Sequence, residues 1–224
     1  HLPTVLCLHG AGTNSKIFQM QTRTLIDALQ TNFRFVFVDA PFESRPGPGV
    51  IPLFANNKPY LWWHCDENAA EQFDITVAQV RERRLQVRGL LASRLQEENV
   101  VGIMAFSQGT RVATGLCLDS ELGSRIKFAI LIAATFPALP VEDDLGRLSK
   151  YLDVKADVAM AKRLRIPSVH VQGSVDPWAA EGDCLRRIYY DDEKAVKITF
   201  KGGHTVPVVK REVSQVVKAV AKAW

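Results

Sequence analysis

The sequence predicts an α/β fold, in which a mostly parallel six-stranded sheet carries helices on both faces. Three observations carry this expectation. Short apolar runs alternate along the chain with segments whose apolar residues recur at helical spacing, the pattern of successive βαβ units. The apolar run over 100–106 breaks through Ala105-Phe106-Ser107-Gln108-Gly109 into helical sequence, with small residues on both sides of a serine, as a sharp strand-to-helix turn requires. Finally, 47% of the 224 residues are hydrophobic and 23% charged, enough for one sizeable core, and no linker or internal repeat divides the chain. Residues 1–224 therefore read as a single domain.

The elements follow in order. Residues 2–8 are rich in Val and Leu and read as a strand buried on both faces, ending at His9-Gly10-Ala11-Gly12. Asn14 or Ser15 can cap the next helix, whose inner side carries Phe18, Leu25 and Leu29. Residues 33–38 form the second strand. The stretch 39–68 breaks the rhythm with five prolines and the aromatic residues Phe54, Tyr60, Trp62 and Trp63. Loops of that length inside a compact domain are usually functional, so it is expected to form a wall for an apolar substrate; covering the core is the plainer alternative. His64 also falls here.

From 74 to 98, Val77, Val80, Val87, Leu91 and Leu95 make a helical stripe that Arg84 interrupts, which argues against one unbroken helix. The strand leading to Ser107 follows, then a helix with Val112, Ala113, Leu116 and Cys117, and a strand over 126–133. The polar stretch 141–164 stands where a lid could be inserted. A fifth strand over 166–172 runs into Gly173-Ser174-Val175-Asp176-Pro177-Trp178, with helical sequence after it. A sixth strand over 195–200 ends at Lys201-Gly202-Gly203-His204, and Val209, Val213, Val216, Val217 and Val220 stripe the last helix.

Composition excludes several classes of protein. No window approaches the length of apolar sequence that spans a bilayer, and residues 5–8 are too short for the core of a signal peptide, so no membrane association is expected. The net charge of +4 is mild and the basic residues are scattered, which does not fit nucleic-acid binding. Arg81, Arg84 and Arg88 recur along one helix edge, where they could dock an acidic partner or form an ordinary solvated face. Cys7 and Cys117 read as buried hydrophobes, and Cys65 and Cys184 could pair but belong to no disulfide framework, so a reducing, cytoplasmic setting is the expectation. No CxxC or HExxH spacing points to a metal, and no cofactor is called for.

Ser107, Asp176 and His204 stand just beyond the carboxyl ends of three different expected strands, which is where reactive groups collect in open α/β sheets. Their order along the chain is that of the α/β-hydrolase fold. A serine hydroxyl needs a neutral imidazole to take its proton, and the imidazole needs a carboxylate to hold its tautomer. His204 is the best base, because His170 lies within a strand, His1 is terminal and His9 follows the first strand, where it shapes the loop. Asp176 is preferred as the acid over Asp183, Asp191 and Asp192, which fall later in or beyond the next helix; capping a turn is its plainer role. Glycines 202 and 203 are expected to let the histidine loop bend back. The backbone N–H groups of Ala11 and Gln108 make the expected pair of oxyanion donors, and Trp178 joins the aromatic residues expected around the substrate.

Leu8-His9-Gly10, Asp39-Ala40-Pro41, Pro46-Gly47-Pro48-Gly49, Trp62-Trp63, Phe106-Ser107-Gln108-Gly109 and Gly203-His204 together resemble the FSH-type family of serine hydrolases over nearly the whole chain. Ala105 departs from the glycine usual there. The resemblance implies Ser107, Asp176 and His204 as catalytic residues, with Ala11 and Gln108 as the oxyanion pair. It also implies a fungal thioesterase acting in trans, releasing an acyl chain from the acyl carrier protein of a polyketide synthase. A carboxylesterase acting on a free small ester uses the same machinery, and a noncatalytic binding module on the same fold is the reading from a different class.

Overall fold

A computed structural model of the protein describes residues 2–63, 76–139, 141 and 164–224. Six strands form one parallel sheet: β1 (Thr4–Leu8), β2 (Arg34–Val38), β5 (Val100–Phe106), β6 (Phe128–Ile132), β7 (Ser168–Gly173) and β8 (Ala195–Phe200), in the spatial order β2-β1-β5-β6-β7-β8. Two further short strands, β3 (Phe42–Glu43) and β4 (Leu61–Trp62), pair antiparallel with Phe42 opposite Trp62. The chain leaves β1 toward β2 on one side and returns to β5 on the other. This makes the gap beyond β1 and β5 a topological switch point, where open α/β sheets form their clefts.

The strict period of two along buried strands divides the core into two layers. Leu6, Leu8, Ile103, Ala105, Ala129 and Leu131 face one side, against α2 (Val77–Glu97), α3 (Gln108–Leu118) and α4 (Ala179–Tyr189). Val5, Cys7, Met104, Phe106, Phe128 and Ile130 face the other, against α1 (Ser15–Leu29) and α5 (Lys210–Ala223). Phe18, Leu25 and Leu29 on α1 and Val213, Val216 and Val220 on α5 supply the stripes, with Val217 partly buried beside them, whereas Val209, expected in the last stripe, caps α5 and is exposed.

Local signals set the helix ends. Asn14 caps α1 through its side-chain oxygen, which accepts from the Ile17 N–H at 2.9 Å. Thr76 and Gln79 form a reciprocal capping box at the start of α2. That helix runs unbroken across Arg84, contrary to the interruption expected, because Arg84 is itself buried on the inward side of the helix. A long side chain can cover apolar surface with its methylenes, so one cation does not end an apolar stripe.

The arginine edge does not present three available cations. Arg81 is exposed and Arg84 buried, while Arg88 donates to buried Asp119 (2.8 and 3.3 Å) and to Glu121 (2.7 Å). Of the expected lid, the described residues include only its ends, Val141 and Leu164, and His64 and Cys65 also lie outside them. Cys7 and Cys117 are buried and Cys184 is an exposed free thiol. Among the described residues no helix is long and apolar enough to cross a membrane.

Candidate active site

β5 ends in a residue that ordinary backbones avoid. Ser107 has φ 52° and ψ −123°, a left-handed conformation that a side chain tolerates only where its surroundings impose it. Here the Ser107 N–H donates to the Ile132 carbonyl at the end of β6 (3.1 Å), and its own carbonyl accepts from the Thr110 N–H (2.9 Å) and hydroxyl (2.6 Å). The chain is thereby held at both sides of the turn, and α3 starts on the next residue. Gly109 makes this possible, because a Cβ there would sit 2.5 Å from the Leu8 carbonyl oxygen and 2.6 Å from that of His9. Ala105, the departure from glycine, is fully buried and its methyl group is absorbed into the α2–α4 side of the core.

Two other strand ends deliver the remaining groups. His204 lies beyond β8, and its Nε2 is 2.9 Å from the Ser107 hydroxyl while its Nδ1 is 2.9 Å from Asp176 Oδ2. A carboxylate can only accept, so Nδ1 carries the proton and Nε2 is left to accept from the serine. Asp176, beyond β7, is fully buried at its side chain. Its Oδ2 also accepts from Gln172 Nε2 at 2.6 Å, and its Oδ1 accepts from the Trp178 N–H at 2.9 Å. Gln172 was not singled out from the sequence. Its position near the end of β7, four residues before the aspartate, is the signal that could have found it.

The close fit of the Asp176 and His204 loops depends on Gly173, while Gly202 leaves room for the Phe200 ring, which a Cβ there would meet at 2.5 Å, and Gly203 faces open space. A Cβ at Gly173 would overlap the carbonyl oxygens of Gly203 and Gly202, and the Val175 N–H donates to the Gly202 carbonyl at 3.0 Å. Neither Gly202 nor Gly203 adopts a left-handed backbone, so the freedom expected of them is not what the loop uses. Trp178 stands edge-on to the His204 ring with centroids 4.5 Å apart, and Phe106 packs against it at 5.2 Å. These contacts limit the ring's rotation.

A cavity of about 630 Å³ opens over Ser107 and His204. Gly10, Ala11 and Gln108 border it beside the serine, and Phe54, Trp62 and Trp178 are among its apolar walls, together with Val50 and Val206. Leu53 and Val208 stand at its edge, largely exposed. Arg111, Thr135 and Glu181 make a polar stretch of wall, with Arg111 and Glu181 each bonded to the loop at 136–137.

Two of the five residues expected around the substrate belong elsewhere. Tyr60 is buried beside Ile17 and Val50, and its hydroxyl donates to the carbonyls of Phe54 and Ala55, so it shapes the loop from behind. Trp63 is fully buried in the core under the serine turn, with its indole N–H on the His9 carbonyl. Trp62, the last residue of β4, takes the cavity side, and Trp63, just beyond the strand, turns into the core.

Nearby His9 is buried and hydrogen-bonded on both ring nitrogens. Burial pushes its pKa down to about 4, against the opposing pull of the Gly10 carbonyl and of Asp39, so the ring is neutral at physiological pH.

Sheet order, the left-handed serine at the switch point and the serine–histidine–aspartate contacts define a protein of the α/β-hydrolase fold. The chain belongs to the serine hydrolase (FSH1) family, which it matches over residues 1–216. It is 49% identical over 232 residues to Thioesterase FSL2 of Gibberella zeae, covering 100% of this chain and 93% of that protein. It is 32% identical over 245 residues to Esterase citA of Monascus ruber, covering 96% and 90%. Among solved structures, the Bacillus cereus carboxylesterase matches with a TM-score of 0.60 at 18% identity, covering 100% of this chain and 89% of that one. Arabidopsis thaliana SOBER1 matches at 0.58 and 15%, covering 100% and 99%. At such identities these structures speak to the fold alone.

Proposed function

We propose that the protein is a thioesterase that releases an acyl chain from the acyl carrier protein of a polyketide synthase through an acyl-enzyme on Ser107. The observation that carries the reading is the continuous chain from buried Asp176 through His204 to Ser107, each link 2.9 Å, ending on a hydroxyl that faces an apolar cavity. Ser107 Oγ attacks the thioester carbonyl while His204 Nε2 takes the hydroxyl proton, and Asp176 stabilises the imidazolium that forms. The N–H groups of Ala11 and Gln108 receive the oxyanion. Collapse breaks the carbon–sulfur bond, and the thiol leaves with the proton from His204. Water then attacks the acyl-enzyme with His204 as base, which frees the carboxylic acid and restores Ser107.

The choice of thioester leans on the likeness to a protein named a thioesterase at 49% identity. The competing reading is a carboxylesterase acting on a free ester, favoured by the esterase names of relatives near 30% identity, Esterase tropF of Talaromyces stipitatus among them. Single-turnover hydrolysis of matched acyl thioesters and oxygen esters of increasing chain length separates the two, with Ser107→Ala as control. Faster turnover of long thioesters, abolished in the variant, is expected. Preference for short oxygen esters moves the assignment to carboxylesterase.

A further inference from the structure

We propose that His9, Thr13 and Trp63 are positioning residues that set the oxyanion site, fixing the direction of the Ala11 N–H and tying it to Gln108 on the other side of Ser107. This rests on the serine hydrolase reading above. The starting point is Gly10, which lies directly against the reacting centre. A Cβ on Gly10 would stand 3.2 Å from the Ser107 Cβ and 2.9 Å from the Phe106 ring.

The Gly10 carbonyl points away from the cavity and into the protein, where it accepts two hydrogen bonds, from His9 Nδ1 at 2.7 Å and from the Thr13 hydroxyl at 2.7 Å. Both donors are buried. In a planar trans peptide the N–H runs antiparallel to the C=O. Two bonds that pin the Gly10 oxygen inward therefore aim the Ala11 N–H outward, on the side where Ala11 borders the cavity. Among the described residues that N–H makes no hydrogen bond, as suits a donor kept for a substrate oxygen.

The clamp has its own supports. His9 Nε2 accepts from the Ala40 N–H at 3.0 Å, which requires the Nδ1-protonated tautomer, the form that can donate to Gly10. The His9 ring packs on Trp63 with centroids 5.1 Å apart. Trp63 in turn donates its indole N–H to the His9 carbonyl at 2.8 Å and its backbone N–H to Gln108 Oε1 at 3.2 Å. One fully buried tryptophan thus joins the peptide preceding Gly10 to the residue that follows the serine. Backbone bonds from Gly12 to Leu61, from Leu61 to Thr13 and from Gly47 to Gly12 close the rest of the loop. A donor aimed before the substrate arrives needs no reorganisation as the oxyanion forms, and that is where such sites gain their effect.

The test uses Thr13→Val, which removes the hydroxyl at nearly constant shape, Thr13→Ser, which restores it, and Trp63→Phe, which deletes the indole N–H. For each variant kcat and KM are measured on a p-nitrophenyl acyl ester, together with the inhibition constant of an alkylboronic acid that forms a tetrahedral adduct on serine. Fluorophosphonate labelling of Ser107 in the wild type is the control. The expected result for Thr13→Val and Trp63→Phe is a kcat lowered about tenfold, part of the ~10²–10³-fold lost when a whole oxyanion donor is removed. Boronate affinity falls by a similar factor, KM stays within about twofold, and Thr13→Ser recovers most of the loss. A purely structural role lowers thermal stability and leaves kcat and boronate affinity of the folded enzyme near wild type; that result overturns the clamp. If the wild type neither labels at Ser107 nor turns over the ester, the hydrolase reading itself fails and the clamp falls with it. Labelling and turnover in the wild type with unchanged variants overturn the clamp alone.

Discussion

Replacing Gly109 by alanine tests whether the serine turn and the Gly10–Ala11 loop proposed to hold an oxyanion donor work as one rigid unit. The new Cβ meets the Leu8 and His9 carbonyl oxygens at 2.5 and 2.6 Å, whereas ordinary contact begins near 3.4 Å. Both obstacles are backbone, at the end of the buried strand β1, which is paired on both sides by β2 and β5, so neither can rotate away. The start of α3 must therefore move off β1 by about 0.9 Å, carrying Ser107 and the Gln108 N–H away from Ala11. A misplacement of ~1 Å can cost on the order of 10²-fold in rate, and forcing one extra methyl into a packed core costs roughly 1–3 kcal/mol. We expect Gly109→Ala to fold, to lose about 100-fold in kcat on an activated ester, and to unfold at a lower denaturant midpoint by that energy. Circular dichroism in urea and steady-state hydrolysis on the same preparation read both quantities. A variant with kcat within twofold of wild type refutes the reasoning, since it would mean that the turn relaxes without disturbing the site.

Gln172→Leu removes the 2.6 Å donor from Asp176 Oδ2 while keeping apolar bulk near Gly182, and kcat is expected to fall roughly tenfold or more, as loss of a hydrogen bond to a charged group implies; an unchanged rate would mean that His204 and the Trp178 N–H alone hold the carboxylate. Neutral buried His9 makes stability depend on acid: its folded pKa of about 4 lies below the ordinary value of 6.5, so the unfolded chain binds the extra proton first. That stability is complete above pH 6.5 and is lost as pH falls toward 4, by up to about 3 kcal/mol, and His170, lowered to about 3 by burial, acts in the same direction. Urea midpoints that do not fall between pH 7 and 4.5 would contradict it. Arg88→Ala removes the guanidinium from buried Asp119, which keeps the Glu121 and Leu122 N–H groups, and should cost about 2 kcal/mol of stability, leaving kcat on a small ester unchanged; a selective loss of activity on carrier-bound substrate would restore a docking role to that helix edge.

Much of this architecture is legible in the chain because it depends on local rules. The two apolar periods, the cap at Asn14 and the small residues beside Ser107 each act within a few positions, and the structure places their elements where those rules put them. The order of Ser107, Asp176 and His204 is legible for a related reason, since a parallel sheet brings the ends of its strands to one edge however far apart they lie in sequence. The stretch 39–63 was less readable. Its aromatic residues share one composition, but the pairing of Phe42 with Trp62 turns Trp62 to the cavity and leaves Trp63 in the core, and no local period announces a strand of two residues.

The sequence by itself determined the sheet, its helices and the placing of Ser107, Asp176 and His204 at strand ends, because hydrophobic periodicity and turn chemistry are properties of neighbouring residues. Only the tertiary structure decided which tryptophan lines the cavity, that Gly173 gives the Asp176 and His204 loops room, that Gln172 holds Asp176, and that Arg84 turns inward. Each of these is settled by contact between segments far apart in the chain, where one carbonyl oxygen or one ring sets what a position will accept.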